Sequence, residues 1–230
     1  MFCHSCGTPV NPDLQFCPSC GQSLAPGSPL STPAPVLWTP PVGIKAAPGR
    51  WVGEGWRIVK ADMFNFALMA LVMGILGATF VTQGPMMVGF HIVCIKKMQG
   101  RPTEFGDLFK GFNYFVPALV ASLLIGLFST AGLALCVVGA LVVGAMFKFT
   151  YLFIVDKRMD FWPAMQASHA VVKNDYFGFT MFLLLIGLVN VLGALCCIVG
   201  VFVTMPLGLA AITVAYKEIV GFDQRTVDAL

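Results

Sequence analysis

Charge is what this chain has least of. Asp, Glu, Lys and Arg make up only 11% of its 230 residues, where a soluble domain carries roughly 25%. Too few charges are present to coat a water-exposed surface. With 57% of the residues apolar and a mean hydropathy of +0.83, an intrinsically disordered chain and a coiled coil are excluded as well. The net charge of +3 is too small to imply a nucleic-acid partner.

The scarcity is local. Met63–Ile95 contains no Asp, Glu, Lys or Arg, Gly111–Val155 contains only Lys148, and Tyr176–Tyr216 contains none. A membrane helix needs about 20 apolar residues, so the second and third stretches, each long enough for two, hold two helices joined by a tight turn. The first is short for two, and its second half, 87–95, either crosses as a short helix or stays re-entrant. The expected fold is therefore an all-α polytopic membrane protein of about six transmembrane helices, arranged as three tandem helical hairpins.

A repeat supports the triplet. Asp62-Met63-Phe64, Asn113-Tyr114-Phe115 and Asp175-Tyr176-Phe177 open the stretches, and Lys96, Lys157 and Lys217 close them at nearly equal intervals. Pro85 and Pro206 each lie eleven residues before a closing lysine. Lys and Arg other than Lys148 fall before, between or after the stretches. The turns near Gln83, Ser129 and Leu192 carry no charge. Positive residues mark the cytoplasmic side, so both termini and both charged connectors are expected there, in a bacterial inner membrane. Almost nothing projects on the far side to build a receptor or a catalytic domain, and no cleavable signal peptide is expected from residues 1–21.

The connectors at 101–112 and 162–173 show apolar residues at helical spacing and are expected to lie as short amphipathic helices in the interface. Residues 22–48 are rich in Pro, Ser, Ala, Gly and Thr, with Lys45 the only charge, and read as a flexible linker extending about 3.1 Å per residue. The transmembrane domain then runs over 49–221, and 222–230 form a cytoplasmic tail.

Residues 1–21 carry the clearest chemistry. Cys3-His4-Ser5-Cys6-Gly7 and Cys17-Pro18-Ser19-Cys20-Gly21 form two C-x2-C pairs with ten residues between them. Two intervening residues let one turn present both thiolates to one ion. Four thiolates suit a single structural Zn²⁺ at about 2.3 Å and leave no position for a substrate water. Iron is the alternative for such a cage, and disulfides are disfavoured in a reducing cytosol. The segment has no Lys or Arg, and Asp13 is its only charge, so it lacks the cations that neutralise phosphates in nucleic-acid binding. Phe2-Cys3-x-x-Cys6-Gly7 and Phe16-Cys17-Pro18-x-Cys20-Gly21 resemble the short zinc ribbons at the N-termini of many bacterial membrane proteins. That resemblance implies metal binding and no particular activity. The membrane part is loosely similar to the non-catalytic membrane domain of some glycerophosphodiester phosphodiesterases, in the amphipathic segment leading into each Asp/Asn-aromatic-Phe helix start. No phosphodiesterase catalytic domain accompanies it, so that activity is not implied.

Within the stretches, Lys148, His91 and Asn190 form a possible intramembrane polar site. Lys148 either attracts an anion, a lipid phosphate or a partner chain, or snorkels to the interface. His91 reads as a packed or interfacial histidine, and Asn190 as a hydrogen-bonding group between helices. Cys94, Cys136, Cys196 and Cys197 read as small core residues. No acidic residue lies inside a stretch to couple protons or sodium, and no H-E-x-x-H or nucleophile elbow is present. The expected function is thus a non-enzymatic membrane subunit or scaffold, with a lipid bilayer around it and a protein partner or a second copy at its zinc ribbon. The alternative is a small channel or passive transporter for an uncharged solute, anion or lipid that uses Lys148.

Overall fold

The structure is a computed structural model that describes residues 43–77, 80–135, 137–195 and 200–229. The proposed linker up to residue 42 and all four ribbon cysteines lie outside the described residues, as do Cys136, Cys196 and Cys197. Every element among the described residues is helical. In order they are α1 (Pro48–Lys60), α2 (Met63–Leu76), α3 (Phe80–Met98), a 3₁₀ segment (Phe105–Tyr114), α4 (Phe115–Leu135), α5 (Val137–Met146), α6 (Thr150–Asp156), α7 (Phe161–Val172), α8 (Tyr176–Leu195), α9 (Val201–Ile219) and α10 (Gln224–Ala229).

Four stretches are long and apolar enough to cross a membrane: Phe105–Gly132, Gly139–Asp156, Tyr176–Leu195 and Val201–Ile219. A fifth is reached if α1 and α2, which meet at 99°, count as one bent span. The sixth crossing expected from sequence has no such support. The 14 residues of α2 extend about 21 Å at 1.5 Å each, short of a ~30 Å hydrocarbon core. α3 is 19 residues long but carries Gln83, His91, Lys96 and Lys97.

The order connecting helix, first apolar helix, second apolar helix recurs three times: α1-α2-α3, the 3₁₀ segment with α4 and α5–α6, and α7-α8-α9. The second long helix of each series lies inside the bundle and the first lies outside. Buried residues make up 61% of the apolar stretch of α9 but 22% of that of α8. In α3, the run Phe90–Lys96 is buried throughout, as are Leu152–Asp156 in α6. α2, α4 and α8 instead expose Phe64, Ile75, Val116, Leu127, Phe177 and Leu188 by more than half. Water-facing surfaces do not carry a girdle of this size, and the pattern is compatible with a multi-pass membrane protein.

Each inner helix carries a proline or a break at one register. Pro85 in α3 and Pro206 in α9 stand eleven residues before Lys96 and Lys217. Counting eleven back from Lys157 reaches Met146, where α5 ends and the chain turns through 147–149 before α6. This break has no proline, whereas α3 and α9 stay continuous through theirs. Ser168 on α7 repairs it, because its Oγ accepts from Phe149 N (3.1 Å) and donates to the Met146 carbonyl (2.6 Å). Backbone groups freed away from water must find such partners. That task explains why Ser168 is buried, with Ala164, Val171 and Val172, on one face of α7. α7 is therefore packed into the bundle through that face, while Trp162 at its start is half exposed.

The outer turns also repeat. Gly132 faces Gly139 and Ala140, and Gly193 faces Gly200; the two glycine pairs have the same spacing and recur at the interval that separates Lys96 from Lys157. A Cβ on Gly132 would approach Ala140 Cα to 3.1 Å, and one on Gly193 would approach the Gly200 carbonyl oxygen to 3.1 Å. Glycine lets the two helix ends touch backbone to backbone.

The first connector differs from expectation. Residues 105–114 wind as a 3₁₀ helix rather than an α-helix. Its inner face of Asp107, Leu108 and Gly111 is buried. Gly111 abuts Pro85 and Gly89, so this segment runs antiparallel along α3. Its other face carries a ladder of rings, Phe105, Phe109, Phe112 and Phe115, with successive centroids 5.9 to 6.3 Å apart. The tighter 3₁₀ winding narrows the segment where its backbone meets that of α3.

Candidate functional site

Ion pairs fix the connectors to the ends of the inner helices. Asp107 is 3% exposed and takes Lys96 Nζ at 2.6 Å, Lys110 Nζ at 2.9 Å and the Glu104 backbone N–H at 2.9 Å. Asp62 takes Lys97 Nζ at 2.8 Å, and that hydrogen bond holds its carboxyl below the usual carboxylate range against partial burial. The unfolded carboxyl titrates higher. The stability this pair adds is therefore present above the ordinary aspartate pKa and lost as pH falls through the depressed one.

The end of α6 is the densest polar node. Asp156 is 2% exposed; its Oδ2 accepts from the Tyr216 hydroxyl at 2.9 Å and its Oδ1 from Asp223 N at 2.8 Å. Its backbone carbonyl accepts from Thr226 Oγ1 at 2.6 Å, which docks α10. Asp156 and Tyr216 each directly precede a closing lysine. Equivalent positions of two series thus meet face to face. Arg50 and Trp51 of α1 reach Glu218 in the last turn of α9, with Trp51 Nε1 donating to its Oε2 at 2.9 Å. The Trp51 ring sits on Phe179 and Phe182 of α8. These contacts are architectural, and none juxtaposes a nucleophile with a base.

Of the three intramembrane residues singled out from sequence, none contacts another among the described residues. His91 is buried between α3 and α9, with Nδ1 2.9 Å from Thr213 Oγ1, which itself donates to the Leu209 carbonyl. Lys148 stands in the 147–149 break, partly buried, and its ammonium makes no hydrogen bond or ion pair among the described residues. Asn190 is elsewhere. Its Nδ2 donates at 3.0 Å to the Ile186 carbonyl of its own helix, so the expected bond between helices is not made. Cys94 is a buried, free core residue, as its apolar surroundings suggest.

Thr213 was not legible as a partner of His91, because a threonine four residues before a lysine carries no signal in one sequence. Ser168 was equally silent.

Among the described residues no group of three or more His, Cys, Asp or Glu could hold a metal ion. Residues 2–24 match the zinc-ribbon domain family. The ribbon spans both C-x2-C pairs, and its donor set of four soft thiolates is the set that tetrahedral zinc prefers. No curated protein and no solved structure matches the chain. Nothing beyond sequence pattern therefore ties residues 49–221 to the membrane domain of glycerophosphodiester phosphodiesterases.

Proposed function

We propose that this protein is a non-enzymatic integral membrane subunit or scaffold whose cytosolic zinc ribbon, held by Cys3, Cys6, Cys17 and Cys20, contacts a protein partner. The observation that carries the reading is the ribbon match at residues 2–24 in a chain whose helical part carries an apolar girdle. A metal-closed fold without cations suits a rigid contact surface and offers neither a catalytic water nor phosphate affinity. The Pro-rich segment at 22–48 gives the ribbon reach. In this reading the chain sits in the inner membrane of a bacterium, with both termini and the basic connectors cytoplasmic. Six crossings complete it, α2 and α3 supplying a thin first pair.

Cys3→Ser with Cys6→Ser leaves two thiolates, too few for a structural site. The double variant is expected to lose bound zinc and at least tenfold of partner recovery when the complex is purified in mild detergent. Membrane insertion should be unchanged. Zinc loss with full partner recovery would remove the ribbon from the interface.

One observation favours a second reading, a small channel or passive transporter for an uncharged solute, anion or lipid. Lys148 stands unpaired at a helix break, and broken helices at membrane depth line substrate paths in many transporters. Under it, Lys148→Met alters flux through proteoliposomes by tenfold or more, because the substitution keeps the volume and deletes the charge. Equal flux in the two proteins, or none in either, rejects a conducting role for Lys148.

A further inference from the structure

A cleft of about 470 Å³ opens between the start of α4 and the turn from α6 to α7, within the ~300–1,000 Å³ range of small-ligand sites. Asn113, Tyr114 and Pro117 line one wall; Ile154, Arg158 and Asp160 line the other, with Met159 between them. Both walls change character with depth. Asn113, Tyr114, Arg158 and Asp160 bring polar groups at the ends of two apolar stretches, while Pro117 and Ile154 lie about one helical turn further in. Asn113, Arg158 and Asp160 are exposed and Ile154 is fully buried, so the exposed part of the lining is polar and the buried part apolar.

Arg158 is the unusual residue. Its φ of 50° is left-handed, and it is the one non-glycine residue with positive φ among the described residues. That conformation costs an arginine about 1–2 kcal/mol and a glycine almost nothing. The side chain is kept at the mouth nonetheless. The Arg158 guanidinium makes no ion pair among the described residues, as is also true of Arg57, Lys60, Arg101, Lys148, Lys173 and Lys217; what sets Arg158 apart is its place on the cleft in a left-handed conformation. Asp160 accepts from Phe161 N through Oδ1, and its Oδ2 takes no hydrogen bond or ion pair among the described residues. A free cation and a half-free carboxylate two residues apart thus border one amphiphilic cleft.

We propose that this cleft binds the headgroup of a zwitterionic phospholipid bearing a primary amine. The Arg158 fork takes the phosphate, Asp160 takes the ammonium, and Pro117 and Ile154 cover the glycerol end of the acyl chains. A quaternary amine has no N–H to give Asp160, and an anionic headgroup sets its own charge against it. The inference rests on the membrane reading above. A soluble phosphoethanolamine shares the headgroup chemistry but lacks the chains that the apolar floor would hold.

The test is native mass spectrometry of the full chain in detergent with equal amounts of phosphatidylethanolamine, phosphatidylcholine and phosphatidylglycerol. The wild type should retain one phosphatidylethanolamine in preference to the other two. Arg158→Gly, which relaxes the backbone and removes the guanidinium, should lower that retention about fivefold, the worth of one basic residue at a membrane surface. Asp160→Asn should abolish the preference over phosphatidylglycerol. A wild type without preference, or an Arg158→Gly protein that retains as much lipid as the wild type, overturns the proposal. Excess glycerophosphoethanolamine should not displace the lipid; displacement would assign the cleft to a soluble ligand and reject a lipid. The membrane reading is checked separately by carbonate extraction. Release of the protein from membranes defeats that reading, whereas a carbonate-resistant protein without lipid preference defeats only this one.

Discussion

Gly89→Ala is expected to be among the most damaging single methyl groups that can be added to this protein. The new Cβ would overlap the Leu108 carbonyl oxygen and reach its carbonyl carbon at 2.7 Å and its Cα at 3.2 Å. All three are backbone atoms, so no rotamer change relieves the clash. Gly111 closes the same contact from the other side, where a Cβ would meet Gly89 Cα at 2.8 Å. α3 and the 3₁₀ segment would have to separate along their shared length. Overpacking of a well-filled interior costs roughly 1–3 kcal/mol, and a backbone-limited site belongs at or above the top of that range, about 3 kcal/mol. Thermal unfolding in detergent, followed by intrinsic fluorescence, reads the loss. Gly187→Ala supplies the contrast, because a Cβ there meets nothing within 4 Å. It should raise stability by roughly 0.5–1 kcal/mol through helix propensity alone. Two identical substitutions with opposite signs would establish the backbone contact; equal effects would refute it.

That contact also marks how far the sequence could be read. Stretches without charge reported the apolar outer helices, because lipid-facing surface is written in composition. The closing lysines reported the period, and the prolines at 85 and 206 fell at one register of α3 and α9. The break of the middle series was hidden because it uses no proline: the chain opens at Met146 and a serine on another helix satisfies the freed groups. Partners on different helices leave no local mark in the chain. The Gly132/Gly139 and Gly193/Gly200 pairs were visible in principle, since spacing and period both recur, but glycine is common in apolar stretches and gains meaning only when its neighbour is known. The connector at 101–112 misled for a related reason. Apolar residues at 105, 108, 109 and 112 fit an α-helical stripe, yet Phe105, Phe109 and Phe112 face outward and Leu108 inward, because backbone contact with α3 dictates the tighter winding. Of the intramembrane polar residues, His91 and Lys148 were found by being polar where little else is. The bond from His91 to Thr213 needed the fold.

Asp107→Ala is the second large expected effect, and it separates electrostatics from packing. Lys96 Nζ lies 2.6 Å from Asp107, with the lysine side chain 11% exposed and the carboxylate side 3% exposed. Removing the carboxylate strands a largely buried ammonium and also frees the Glu104 N–H. Breaking a buried pair from one side costs about 3–5 kcal/mol. Lys96→Met should cost less, because Asp107 keeps Lys110 at 2.9 Å and the Glu104 N–H. Joining both substitutions removes the stranded charge, so the double variant should be more stable than Asp107→Ala alone. The coupling expected from such a cycle is about 2–3 kcal/mol, near the upper end for groups in direct contact. Thermal unfolding of the four proteins in one detergent measures it. Additive losses would mean that Lys96 reaches solvent when its partner is gone, and that the pair holds the connector by shape instead of charge. A strong coupling would make Lys96–Asp107 the bond that ties the second series of helices to the first.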